Sequence, residues 1–223
     1  MAGAVSMVQC PSCGQAREAR LLVCAECGAP LAANLDYFAA LGLPRKLQID
    51  PAKLEEMYHG LGRRIHPDRF AASPIKVRDA SMRATALLTR AYRTLRDPVS
   101  RGLYWLELNG RKLAENNQQV PADLAAMVFE VQEQLAELRE VRAADGAAAA
   151  TMRAEVTSQR DQLRDAIDRL EAELSENFAR WDATDGHDSE PLFTELKTTL
   201  SKMAYLRTLL RDVEKELDTV RAA

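Results

Sequence analysis

Four cysteines, all within the first 27 residues, constrain this chain more tightly than any other feature. They fall as Cys10-Pro-Ser-Cys13-Gly14 and Cys24-Ala-Glu-Cys27-Gly28. A Cys-x-x-Cys turn brings two sulfurs to one side, and two such turns separated by ten residues can place four thiolates tetrahedrally at about 2.3 Å from a zinc ion. Glycine follows each second cysteine, where backbone N–H groups must turn toward the sulfurs and a left-handed conformation costs glycine least. Disulfides are the alternative for these residues, but a cytosolic chain disfavours them. Iron in a rubredoxin-like site is the other metal that thiolate-rich tetrahedral geometry admits. Four protein ligands leave no open coordination position, so a metal at Cys10, Cys13, Cys24 and Cys27 is expected to be structural. So short a segment cannot fold on apolar burial alone, and metal binding must supply its folding free energy.

The remainder reads as helical. The 223 residues are 47% hydrophobic, 28% charged and only 5% aromatic, which suits one or two ordinary soluble domains. Ten Gly and nine Pro, many in short connections, leave little room for a sheet-rich fold. No stretch approaches the roughly 18 consecutive apolar residues of a membrane span, and Met1 to Met7 has neither the basic start nor the apolar core of a signal peptide. A cytoplasmic protein with no membrane partner is expected. An Arg-rich mitochondrial presequence is missing, although a processed chain would look the same.

Net charge, −3 overall, hides an asymmetry. His59 to Arg101 holds ten Lys/Arg against three Asp, whereas Val120 to Ala223 holds 22 Asp/Glu against 13 Lys/Arg. A basic unit beside an acidic one suggests two modules with different partners, the basic one meeting an acidic surface or a nucleic acid.

Helix signals organise the basic unit. A short helix is expected within Asn34 to Pro44, capped by Asn34 or Asp36 and stopped at Gly42. Asp50-Pro51 opens a second helix as N-cap and first-turn proline, and Leu54, Tyr58, Leu61 and Ile65 give it one apolar face. It must end at His66, because the residue before a proline is pushed out of the α region. His66-Pro67-Asp68 therefore sits in a loop after a basic helix. A third helix begins near Ser73 or Pro74, carries Val77, Met82, Ala84, Leu87, Leu88, Ala91, Tyr92 and Leu95, and ends before Asp97-Pro98.

Asp36-Tyr-Phe, Gly42-Leu-Pro, Arg64-Ile-His-Pro-Asp-Arg-Phe70, Ala91-Tyr-Arg-Thr-Leu-Arg-Asp-Pro98 and Arg101-Gly-Leu-Tyr104 together resemble a J domain, specifically that of the HscB family of iron-sulfur cluster co-chaperones. The resemblance runs from about Asp36 to the C-terminus, weaker after Gly110, and the cysteine segment is similar to the zinc extension of some family members. In J domains this loop and the basic helix before it engage a DnaK-type chaperone and trigger hydrolysis of its ATP, a role the resemblance assigns to His66, Pro67 and Asp68. Pro67 fixes the loop, Asp68 can accept charge-assisted hydrogen bonds from a partner arginine, and Arg63, Arg64 and Arg69 offer positive charge to an acidic groove. His59 and His187 read as surface residues without a role.

Past Gly110, helices are expected over about 122–143, 147–181 and 192–220, with turns at Gly146 and Gly186. Met152, Val156, Leu163, Ile167, Leu170, Leu174, Phe178 and Trp181 follow three-and-four spacing, as do Leu196, Leu200, Met203, Leu206, Leu210, Val213, Leu217 and Val220. These stripes predict an antiparallel three-helix bundle, with a homodimeric coiled coil as the structural alternative. In the first of these helices Leu124, Val128, Val131, Leu135 and Leu138 face inward and Phe129 points away, while Tyr205 lies beside the third stripe with Leu209 one turn on. Both features suggest an apolar patch for a partner protein. The resemblance implies that these helices hold the iron-sulfur scaffold protein through Val128, Phe129, Gln132 and Tyr205, Gln132 departing from the family's usual Leu or Met.

The chain is thus expected to be all-α: a four-cysteine zinc-ribbon-like module over 1–33, a J domain over 34–110 and a scaffold-binding three-helix bundle over 111–223. The implied partners are a DnaK/HscA-type chaperone and a cluster scaffold protein. No Ser/His/Asp arrangement, P-loop or dinucleotide fingerprint points to an enzyme. A general J protein for unfolded clients is the nearest rival. A zinc-containing nucleic-acid binder accounts for the charge but not for the His-Pro-Asp loop, and its arginines are spread around the helix rather than gathered in one stripe.

Overall fold

Each cysteine pair folds as a tight turn closed by its own backbone. Gly14 N–H donates to the Cys10 carbonyl (3.0 Å) and Cys10 N–H to that of Gln15 (2.9 Å); Gly28 to Cys24 (2.9 Å) and Cys24 to Ala29 (2.8 Å) repeat the pattern. Gly14 and Gly28 adopt φ of +74° and +71°, conformations that penalise any side chain. Strands β1 (Met7–Gln9) and β2 (Ala16–Glu18) flank the first turn as an antiparallel pair, and a Val23–Pro30 bridge closes the second. The computed structural model describes residues 7–18, 21–113, 123–141, 146–184 and 190–221, in two compact units, Met1–Tyr104 and Trp105–Ala223. His187 lies outside the described residues.

In the first unit, α1 (Tyr37–Ala40) starts at Asp36, whose carboxylate accepts from the Ala39 N–H (2.9 Å) and from Arg45 (2.6 Å). Helix α2 (Pro51–Ile65) starts at Asp50, which caps the Ala52 N–H. Helix α3 (Ile75–Arg96) packs on α2 through Leu54, Leu61 and Ile65 on one side and Val77, Ala84, Leu88, Ala91 and Leu95 on the other. Tyr58 stacks on Tyr92 across the pair, with ring centroids 4.1 Å apart. Two expectations are corrected here. Met82 is exposed, because the buried face runs through Ala80, Ser81 and Ala84 rather than through it. A further helix, α4 (Pro98–Leu108), follows Asp97, whose carboxylate accepts from the Ser100 N–H and hydroxyl (2.8 and 2.7 Å). Asp97-Pro98 therefore ends one helix and starts the next.

The second unit holds α5 (Ala125–Val141), α6 (Gly146–Ala183) and α7 (Glu190–Arg221). Ion pairs set the directions: Arg164–Glu214, Arg207–Glu171 and Arg180–Glu195 climb one helix as they descend the other, so α6 and α7 are antiparallel. Asp123–Lys202 and Arg139–Glu216 ascend together, so α5 runs parallel to α7. Helix α5 seals one half of the α6–α7 hairpin with Val128, Val131, Leu135 and Leu138 against Val156, Leu163, Ile167, Leu206, Leu209 and Val213. At the other half Trp105 of α4 meets Trp181 edge-on (centroids 5.9 Å apart), Trp181 meets Phe193 (4.5 Å), and the Arg111 guanidinium lies over Phe193. Leu209, expected at the surface, is buried, and Leu210, expected inside, is only half-buried. The three-and-four spacing from Leu206 through Leu209 to Val213 keeps the inward face in line. No helix among the described residues is long and apolar enough to cross a membrane.

Candidate functional site

The four cysteines converge. Their sulfurs all lie within 4.8 Å of one another, with Cys10 Sγ to Cys27 Sγ at 3.6 Å and Cys13 Sγ to Cys24 Sγ at 3.9 Å. Four ligands at about 2.3 Å from a tetrahedral centre stand about 3.8 Å apart, so the spacing fits a metal ion. The thiols themselves register the crowding. Backbone N–H groups of Cys27 and Glu26 bring Cys24 down to about 7. At Cys13 the Gln15 N–H also lowers the pKa, but burial and the three neighbouring thiols together push it up to about 11. A bound cation relieves that repulsion. These residues are placed to hold a metal ion.

The His-Pro-Asp segment is a 3₁₀ turn over Pro67–Phe70 rather than an irregular loop. His66 is extended (φ −56°, ψ 132°), as its place before proline requires. Its Nδ1 accepts from the Asp68 N–H (3.3 Å). His66 is 54% and Asp68 90% exposed at the side chain, and among the described residues the Asp68 carboxylate reaches only His66, at 3.5 Å. Arg63 and Arg64 are exposed in the last turn of α2, where they also complement the helix dipole. Arg69 follows at once and touches the Arg63 carbonyl (3.4 Å). The structure thus brings all six expected residues to one exposed turn.

That turn is held from behind. Ile65 ends α2, and its carbonyl, with no partner in its own helix, accepts from the buried Ser81 hydroxyl (2.6 Å) and from Thr85 (3.4 Å) on α3. The sequence carries a trace of this: Ser81 sits on the apolar face of α3, between Val77 and Ala84, where a polar residue needs a buried partner. Ser81→Ala is expected to cost about 1–2 kcal/mol, read as roughly ten-fold lower hydrogen-exchange protection in the last turn of α2. Unchanged protection would show that Thr85 alone holds the carbonyl.

The second unit separates its expected contact residues. Phe129 is 70% exposed and Gln132 is exposed beside it, but Val128 is 4% exposed and belongs to the core. Val128 therefore supports the helix and offers no surface. Tyr205 is half-buried and packs against the same core. Gln159, missed by the periodicity, fills the gap between Val156 and Leu163 and donates to Glu130 (2.8 Å).

A helical hairpin closed by an exposed His-Pro-Asp turn, on a chain that continues into a three-helix unit, defines a J-domain co-chaperone. The chain is similar to the iron-sulfur cluster co-chaperone protein HscB of Mus musculus, 32% identical over 176 residues that cover 76% of this chain and 75% of that protein. It belongs to the HscB family of co-chaperones. The HscB homolog of Bordetella pertussis is 33% identical over 136 residues, which cover 60% of this chain and 78% of that protein. Among solved structures, human co-chaperone HscB superposes with a TM-score of 0.63 at 29% identity, covering 92% of this chain and 96% of that one. Vibrio cholerae HscB gives 0.64 at 22% identity, a likeness of fold alone, over 83% of this chain and 99% of that one. No family model matches the chain. The relatives are co-chaperones, a non-enzymatic class.

Proposed function

We propose that this protein carries an iron-sulfur cluster scaffold protein to a DnaK-type chaperone and stimulates that chaperone's ATP hydrolysis, with zinc as the structural metal of its cysteine module. The observation that carries the reading is the His66-Pro67-Asp68 turn, whose imidazole and carboxylate are exposed and face each other while Ser81 braces the helix end behind them. Arg63, Arg64 and Arg69 supply charge that steers an acidic partner and sets register more than affinity. The scaffold contact centres on Phe129, the one large exposed hydrophobic side chain among the described residues of the second unit, and takes in Gln132 and Tyr205. A single anchor on a helix supports a specific cargo over a broad surface for unfolded clients. Joining the two contacts in one chain raises the effective concentration of cargo at the chaperone.

Single-turnover ATP hydrolysis by a DnaK-type chaperone of the same organism tests this. Wild type is expected to accelerate hydrolysis and the scaffold to accelerate it further. His66→Gln should return the rate to the unassisted value, and Phe129→Ala should remove the scaffold's increment. No acceleration by folded, metal-loaded protein would overturn the proposal.

A further inference from the structure

Beside the His-Pro-Asp turn, on the side of the cysteine module, lies a groove of about 400 Å³. Pro11, Ser12 and Gly28 form one wall and Arg64, Arg69 and Phe70 the other. No carboxylate lines it, and among the described residues neither Arg64 nor Arg69 has a carboxylate partner. Arg69 also borders the cleft between α2 and α3 that holds His66, so the groove is continuous with the turn. Two guanidinium groups on a concave wall, without a carboxylate partner among the described residues, are the chemistry that receives carboxylates, by charge and by bidentate hydrogen bonding.

We infer that the cysteine module is the second wall of the chaperone-binding site and that an acidic segment of the chaperone lies in this groove against Arg64 and Arg69. The inference rests on the proposed chaperone contact of His66-Pro67-Asp68 and extends it to residues outside the J-domain helices. A divalent metal with four thiolates carries a formal charge of about −2, and Cys27 reaches the rim. The loaded centre therefore limits the positive potential of its own wall and leaves the acidic segment on the arginine side. Metal loading matters here by shaping a wall, with no step at the metal.

Ser12 is exposed, lies between two ligand cysteines, and faces the arginines across the groove. The test measures binding of the ATP-bound chaperone to full-length, metal-loaded wild type, Ser12→Glu, Ser12→Lys and His66→Gln at two salt concentrations. Metal stoichiometry and circular dichroism confirm the fold of each. Ser12→Glu is expected to weaken binding about three- to five-fold and Ser12→Lys to tighten it by a similar factor, both effects shrinking at high salt. Equal weakening by both variants, or no effect of either, would overturn the inference. If His66→Gln loses binding while both Ser12 variants bind like wild type, only the groove fails; if His66→Gln binds as wild type does, the underlying chaperone contact fails.

Discussion

Stripping the metal from the cysteine module, by a chelator or by Cys24→Ser, is expected to unfold the segment around residues 7–35 and leave the helices standing. The buried apolar side chains of the segment are Cys10, Leu22, Val23, Cys24, Ala29, Leu31 and Ala33, with Val8 and Leu35 packed against the cysteine cluster. Two of these are metal ligands. Burial on that scale does not hold a hairpin pair in water, whereas a structural zinc site contributes about 10–16 kcal/mol at neutral pH. Amide exchange at Gly14 and Gly28, whose N–H groups close the two turns, reads the loss directly, while the amides of α6 and α7 keep their protection. The pH dependence has a definite sign. The ligands bind as thiolates, and in the metal-free cluster Cys24 sits at about 7 and Cys13 at about 11. At neutral pH metal binding must displace protons, so affinity falls as the pH falls, and a chromogenic chelator will show faster release on acidification. Retained protection at Gly14 and Gly28 after complete chelation would show that the segment folds without metal.

Trp181→Ala is expected to be the most destabilising single change in the second unit. Helix α5 covers only half of the α6–α7 hairpin, and the other half relies on Trp181 wedged between Trp105 and Phe193. Arg111 lies over Phe193 and forms a bidentate ion pair with Glu190 at the start of α7. Deleting the indole leaves a cavity that this aromatic cluster cannot close, at a cost of about 3–5 kcal/mol. With the denaturant sensitivity of a unit this size, the urea midpoint should fall by roughly 1–2 M. A change under about 0.5 M would mean that the cluster repacks around the gap.

The sequence made some of this architecture legible because the signals were local. Asp50-Pro51 and His66-Pro67 bound α2 through cap chemistry and proline sterics, and α2 begins and ends where they place it. Cys-x-x-Cys-Gly specified both turns and the left-handed glycines. The inward stripe of α5, Val128 through Leu138, followed from helical spacing alone. Apart from one local cap, the illegible features depend on partners distant in the chain. Asp97-Pro98 has the same form as Asp50-Pro51, but directly after a long helix it reads as a stop; its second role emerges only in the bond to Ser100. Ser81, Gln159 and Thr199 are polar residues at buried positions that hydrogen-bond to Ile65, Glu130 and Glu173 in other helices, and no periodicity announces them. At the contact patch, helical phase places Val128 on the inward face while the resemblance implies that it contacts the scaffold, and in the structure Val128 is buried.

Helix α5 is clipped to α7 near both ends, Asp123 to Lys202 and Arg139 to Glu216. The clips bracket lengths of chain that match closely, and every residue between them is locked to a partner register. One inserted residue in that interval would turn everything beyond it by about 100° and advance it by about 1.5 Å, carrying Phe129 out of its orientation or pulling a clip apart. An insertion inside the bracketed interval is therefore expected to destabilise the unit more than one of the same length in a connection outside it.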